Sequence, residues 1–446
     1  MFEFKRLFKT TGHTPKSSQR VGLTGGDISL LELLDFNLLS TEGQACDLSA
    51  GRLNPKDPVD LRLRQARVWR EAARRSGDVV TVRRAASAAE KALKLIDETP
   101  SPLWAEVRLE QGLCAMLGAD LFGDDGLNAA ANTAFSDAAS MPGPAGAVAR
   151  AKRAIIAAHQ ALARNDGLQA LAELTAHDQS FTILRPLLRD RDVRLALADI
   201  RLDRASATLS CAALLKDDRL AARALADIAA AVEGFDAAYE PLTVGRAWAL
   251  RARGLVTLGD LTAEAARTAE AVEIYSRLFD AVTRDHSPLD WARAQYGQGL
   301  ALQALAETAG TTDALREAER AFDRAVHVLG PQPALLLRAE AANARAVCRV
   351  RAAELSDDPV ALDEAEAVFR IELARCDPHR DPIGWALAQF SLARVYQTRA
   401  ALFGRDRGER AKAAIALDAA LDVFAENGRH DLAVLAENAL KGLATA

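Results

Sequence analysis

Seven histidines, His13, His159, His177, His286, His327, His379 and His430, are the side chains best suited to metal or acid–base chemistry, and no two stand close in sequence. A helical zinc site needs a pair such as H-E-x-x-H, and none occurs. The five cysteines (Cys46, Cys114, Cys211, Cys348, Cys376) form no C-x-x-C, so neither a zinc ribbon nor a disulfide framework is suggested. Gly297-Gln298-Gly299 begins like a dinucleotide loop, but Leu302 stands where the third glycine belongs. Within a helix those glycines read as points of close helix packing. No G-x-S-x-G, phosphate-binding loop or kinase signature occurs. Asp124-Asp125 and Asp357-Asp358 precede helical segments, where carboxylates favour the positive end of the helix dipole. The expectation is a protein that is not an enzyme and takes neither metal nor cofactor.

The elements that position these residues repeat. Ala314-Leu315-Arg316-Glu317-Ala318-Glu319-Arg320-Ala321-Phe322 returns 47 residues later as Ala361-Leu362-Asp363-Glu364-Ala365-Glu366-Ala367-Val368-Phe369. Trp291-Ala292-Arg293-Ala294-Gln295-Tyr296 returns two such periods on, as Trp385-Ala386-Leu387-Ala388-Gln389-Phe390. A period of this size marks a stacked repeat array. Half the residues are hydrophobic and only 5% aromatic, with alanine prominent, which favours helices.

From about residue 58, each unit reads as helix A, a loop, helix B and a turn marked by Pro or Gly. Helix B carries a small residue, an aromatic four later and an apolar residue three after that, all on one face: Ala131/Phe135/Ala138, Ala271/Tyr275/Leu278, Ala318/Phe322/Ala325. Helix A offers a small residue where its partner passes: Gly112, Gly254, Gly299, Ala344, Ala393. Residues 145–236 follow the pattern least. This combination resembles the tetratricopeptide repeat (TPR) family over about residues 58–427, clearest in the three units from 288 to 427. The units run about 45–49 residues against about 34 in the standard repeat, the extra length falling at A–B loops and in longer helices. HEAT-type arrays also have units of such length.

The resemblance implies an all-α, right-handed α-solenoid of stacked helical hairpins whose concave helix-A face binds a partner protein or peptide. Its polar positions Arg293, Gln298, Arg338, Glu340, Asn343, Arg345, Gln389 and Arg394 are the candidate groove. Trp104, Trp291 and Trp385 recur near the start of helix A and read as structural; Trp69 and Trp248 are out of register, with core burial expected for both.

Residues 1–57 form an extension partly lacking fixed structure. Phe2, Phe4, Leu7 and Phe8 with Lys5 and Arg6 mix apolar anchors with cations, a candidate membrane-surface or partner contact. Residues 27–39 are strongly apolar and must be covered, by the first repeat or by the groove. Residues 21–51 carry five acids and no base, and residues 52–95 a net of +7. The two blocks can pair with each other or offer a basic face to an acidic partner. The alternative function is a regulator gated by its own N-terminal segment. No aromatic platform accompanies the basic block, so nucleic acid is not expected. Residues 428–446, with Leu432, Leu435, Leu440 and Leu443, are expected to form a capping helix. Reduced cysteines and the lack of a long apolar run point to the cytoplasm, and only ten Lys among 56 basic residues is a bias typical of GC-rich bacterial genomes.

Overall fold

The structure is a computed structural model describing residues 28–52, 56–96, 99–309, 312–330, 336–379, 381–403 and 407–445. The candidate contacts at Phe2, Phe4, Lys5, Arg6, Leu7 and Phe8 lie outside the described residues. Among those described there is no strand. The chain folds as a TPR-like α-solenoid.

A short 3-10 turn (Ile28–Leu33) leads into α1 (Phe36–Ala50). Hairpins follow, each pairing an A and a B helix: α2/α3 (Pro58–Ser76, Val79–Leu93), α4/α5 (Pro102–Phe122, Asp125–Ala139), and α6 (Pro144–Ala163) with a B helix broken into α7 (Gly167–Leu174) and α8 (Ala176–Leu184). Next come α9/α10 (Arg191–Leu215, Asp218–Val232), α11/α12 (Pro241–Thr262, Ala265–Ala281) and α13/α14 (Pro288–Ala309, Thr312–Leu329). The last are α15/α16 (Leu336–Ser356, Pro359–Arg375) and α17/α18 (Pro382–Phe403, Glu409–Glu426), with α19 (His430–Thr445) closing the array. Helix A starts recur every 42–50 residues. Most begin with proline, whose missing N–H and fixed φ suit the first helical position.

The A–B turn has its own chemistry. One residue adopts left-handed backbone, and the next caps helix B. The left-handed positions are Gly77, Gly123, Asn165, Lys216, Ala263 and Asp357. The following Asp78, Asp124, Asp166, Asp217 and Asp358 accept a hydrogen bond from an amide in the first turn of helix B. Glu264 is too long to do so and pairs with Arg267 at 2.7 Å instead. One member of each acidic pair seen in the sequence, Asp124 and Asp358, is therefore a cap, while Asp125 lies in the first turn of its helix and Asp357 is the left-handed turn residue. Helices α13 and α15 run on to Ala309 and Ser356, so the added unit length there is carried by helix rather than by loop.

Small residues in helix A admit the aromatic of helix B. A Cβ on Gly112 would sit 2.3 Å from the Phe135 ring, one on Gly299 2.5 Å from Phe322, and one on Gly297 2.4 Å from the Tyr275 hydroxyl. Phe135, Phe322, Phe369 and Phe424 are almost wholly buried. The break at Thr175 explains why residues 145–236 lose the pattern: the third B helix is two short helices and a 3-10 turn, facing the 25-residue α9.

The solenoid coils back on itself. Ala73 and Val82 of the first hairpin share a core cluster with Leu121 of the second and with Leu289, Ala292, Ala325, Leu329 and Ala341 of the sixth and seventh. Successive superhelical turns are thus in contact, and charged groups of several A helices (Arg74, Asp120, Lys152, Asp203, Arg293) come close enough to act on one another in a shared interior, called the lumen below. At the N-terminal end Leu31, Leu34, Leu39 and Cys46 cover the first hairpin. The acidic and basic blocks do pair in part, through Arg64–Glu42 at 2.6 Å, and the neutral Gln65 donates to Asp47 at 2.6 Å; Arg67 and Arg70 turn instead to Glu106 and Glu110 of α4. Trp69 is buried as expected, but Trp248 is 38% exposed, with Arg251 stacked on its ring. At the C-terminal end Leu432 and Ala436 pack on Phe424, and Leu440 and Leu443 on the cluster around Tyr396. Leu435, placed on the same face from sequence, is 55% exposed.

Candidate functional site

The lumen collects charged side chains from consecutive A helices, and the 47-residue period sets them. Lys152, Asp199, Arg246, Arg293 and Glu340 follow one another at that spacing, charged at every step. Lys152 Nζ lies 2.6 Å from Asp199 Oδ2 and 2.5 Å from Asp203 Oδ2. Arg246 clasps Asp290, which opens α13, with Nη2 at 2.7 Å and Nε at 3.0 Å, and Ser287 donates to the same carboxylate at 2.7 Å. Arg70 of α2 is held by Glu110 of α4 at 2.7 Å.

Enclosure sets the titration of these groups. Burial would raise Asp290, but Arg246 dominates and holds its carboxyl down at about 2. Asp199 is likewise held near 2, burial being outweighed by Lys152 and Arg74. Burial pushes Asp203 up to about 6, with Asp199 adding to the shift and Lys152 opposing it. Asp120 near the end of α4 is also pushed up to about 6, by enclosure and by Asp203, against Arg293, Lys152 and Arg74. Asp120 is exposed to water within the lumen and forms no hydrogen bond. Arg74, on the inner side of α2, forms neither hydrogen bond nor ion pair, and Arg293 reaches only Asp290 at 3.9 Å. The lumen thus holds a satisfied frame, Arg70–Glu110, Lys152–Asp199–Asp203 and Arg246–Asp290, around three ionic groups with little local satisfaction: Arg74, Arg293 and Asp120.

Of the groove positions expected from sequence, Arg293 is in this set. Gln298 donates to Ser276 of α12 at 3.2 Å, and Arg345 pairs with Asp323 of α14 at 2.8 Å and with Glu372 of α16, so both lie over B helices. Asn343 accepts from Ser391 of α17 at 2.9 Å, and Glu340 faces Arg429 at 3.9 Å and the Tyr296 ring. Arg338 lies near Asp381 and Cys376, Arg394 near the Cys348 thiol, and Gln389 is half-buried on α17. The structure brings Arg293 together with Arg74, Asp120, Lys152, Asp199, Asp203 and Arg246, which the sequence reading passed over. For Lys152, Asp199 and Arg246 the signal was available, in the charged column at multiples of 47 residues that also holds Arg293; Arg74, Asp120 and Asp203 lie off that column.

Among the described residues no group of His, Cys, Asp or Glu is arranged to hold a metal ion, and no helix is long and apolar enough to cross a membrane.

No protein-family model matches the sequence, and no curated protein matches it either. Among solved structures the chain is similar to a Rap protein complexed with competence and sporulation factor, at 12% identity over 87% of this chain and 98% of that one, with a TM-score of 0.43. It is also similar to a circular tandem repeat protein with novel repeat topology, at 14% identity over 92% and 85% of the two chains, with a TM-score of 0.23. At these scores neither likeness carries an argument about function, and the lumen is read from its own residues.

Proposed function

We propose that the protein is a non-enzymatic binding scaffold, an adaptor that takes an extended segment of a partner protein or a peptide into its helix-A lumen. The observation that carries this reading is the set Arg74, Arg293 and Asp120: charges of both signs, facing one enclosed space, with no hydrogen bond spent on them. Ionic groups so placed keep unused hydrogen-bonding capacity, which a ligand offering carboxylates, amides and ammonium groups would engage. Charges spread over several A helices suit an extended chain, whose backbone and side-chain groups need partners along its length. Four of the five free cysteines are buried, which suits a reducing cytoplasmic setting.

The test is capture of partners from cell lysate by the full chain and by its Arg74→Gln/Arg293→Gln variant, compared by mass spectrometry. The partner set should shrink or vanish with the variant. An unchanged set, captured by a variant with wild-type helix content, would remove the lumen from the account.

A further inference from the structure

The start of α11 is built as a site for an oxyanion, and the chain already places one of its own there. Helix α11 follows Glu240, whose carboxylate is turned to Arg191 and to the Asp236 amide and gives the helix no cap. The free amides of Leu242 and Thr243 donate instead to Glu32 Oε2, at 2.8 and 2.9 Å, from 210 and 211 residues away in sequence. The Thr243 hydroxyl donates to Glu32 Oε1. Arg246, on the next turn, has Nη1 3.9 Å from that oxygen, too far for a hydrogen bond, and this buried nitrogen has no other partner. Helix N-terminal amides, a hydroxyl and a guanidinium aimed at one point make a strong carboxylate or phosphate receptor.

Glu32 fills this receptor imperfectly. Burial raises its pKa and the Glu71 carboxylate raises it further, against Arg246 and the Thr243 bonds. The segment that carries Glu32 is held by side chains of other helices. Leu31 and Leu34 are buried, the Arg75 guanidinium donates to their two carbonyl oxygens at 2.6 Å each, and the His286 ring nitrogen Nε2 lies 2.8 Å from the Glu32 carbonyl oxygen. The receptor also adjoins the lumen, because the same Arg246 grips Asp290 beside Arg293.

We propose that the α11 N-terminus, with Thr243 and Arg246, is an oxyanion-binding site which Glu32 occupies as an internal stand-in, and that an acidic group on a lumen-bound segment displaces it. The N-terminal segment then acts as an autoinhibitor: docking of residues 28–34 and binding of an acidic ligand oppose each other, and by linkage each weakens the other equally. This rests on the lumen being the binding face.

The experiment uses the full chain and two variants, Glu32→Ala and Glu32→Gln, the second keeping an acceptor oxygen while removing the charge. Binding of a fluorescent oligoglutamate peptide is followed by anisotropy, with inorganic phosphate as competitor. Glu32→Ala should bind the probe about tenfold tighter than wild type, Glu32→Gln should fall between, and adding Thr243→Val to Glu32→Ala should remove most of the gain. Displacement of the probe by phosphate would show that any oxyanion satisfies the site; persistence of the probe would assign it to peptide carboxylates. Either outcome keeps the site. If both Glu32 variants, with wild-type helix content, bind the probe no tighter than wild type, Glu32 is a cap and nothing more. That result would leave the dependence of partner capture on Arg74 and Arg293 as it was, so the two readings fail separately.

Discussion

Lys152 and Asp199 sit one repeat apart, 47 residues along the chain, and their charged ends meet at 2.6 Å across adjacent A helices. The ammonium is almost fully buried, and it also serves Asp203. One cation thus bridges two carboxylates of the next A helix, which ties the third hairpin to the fourth.

Replacing Lys152 by Met should leave both carboxylates without their cation. The expected loss is about 2 kcal/mol, below the ~3–5 kcal/mol of breaking a fully buried pair, because Asp199 is partly open to water. Urea unfolding monitored by circular dichroism measures it, and an unchanged midpoint would show that the pair is stabilising nothing.

Gly299 has no room for a side chain. Its Cβ would meet the Phe322 ring at 2.5 Å, with two more ring carbons within 2.8 Å. Gly299→Val should cost roughly 1–3 kcal/mol by overpacking. Trimming the ring with Phe322→Leu should recover part of that loss, so the double variant should be more stable than the two single changes predict together. Strict additivity in a double-mutant cycle would contradict the contact.

Ala263 holds the left-handed position that Gly77 and Gly123 fill in earlier hairpins, at φ 58°. A Cβ there is strained by about 1 kcal/mol, and Ala263→Gly should raise stability by a similar amount, despite the greater freedom of glycine in the unfolded chain. A lower melting temperature for this variant would show that the turn is not strained.

His177 is fully buried at the break in the third B helix, with Nδ1 3.1 Å from the Leu174 carbonyl oxygen and Nε2 without a partner. Burial pulls its pKa down to about 4, Arg204 and Lys152 assisting and the Leu174 carbonyl opposing. A depressed folded pKa means that the unfolded chain takes up the proton first. The contribution of His177 is therefore complete above pH 6.5 and is lost progressively as pH falls from 6.5 to about 4, by about 3 kcal/mol in all. His177→Leu should flatten the pH dependence of stability over that window relative to wild type. Identical slopes would place the charge elsewhere.

The solenoid was legible in the sequence because a repeat states its packing rule many times: Gly299 against Phe322 and Gly112 against Phe135 are the same contact written twice. The broken third B helix was not, since Thr175 is neither Gly nor Pro and the break depends on packing against the long α9. Trp248 misled because an aromatic with a cation stacked on it can lie at the surface, as Arg251 shows. Arg293 was found as a polar position on helix A, while Gln298 and Arg345 are polar on the same helices but lean over helix B. A period fixes which residues are equivalent, but not which face of helix A turns inward. The pairing of Glu32 with Thr243 was beyond sequence reading, because it depends on how far the superhelix has turned by the fifth hairpin.

The claim that the lumen is the binding face is tested most directly by a photo-crosslinking residue placed at Asp120, inside, and in a second protein at Ile415, which is 72% exposed on the B helix α18. After irradiation in cell lysate, the Asp120 position should give discrete crosslinked partners or peptides and the Ile415 position should not. Crosslinks confined to Ile415 would contradict the account and move the binding surface to the outside of the array.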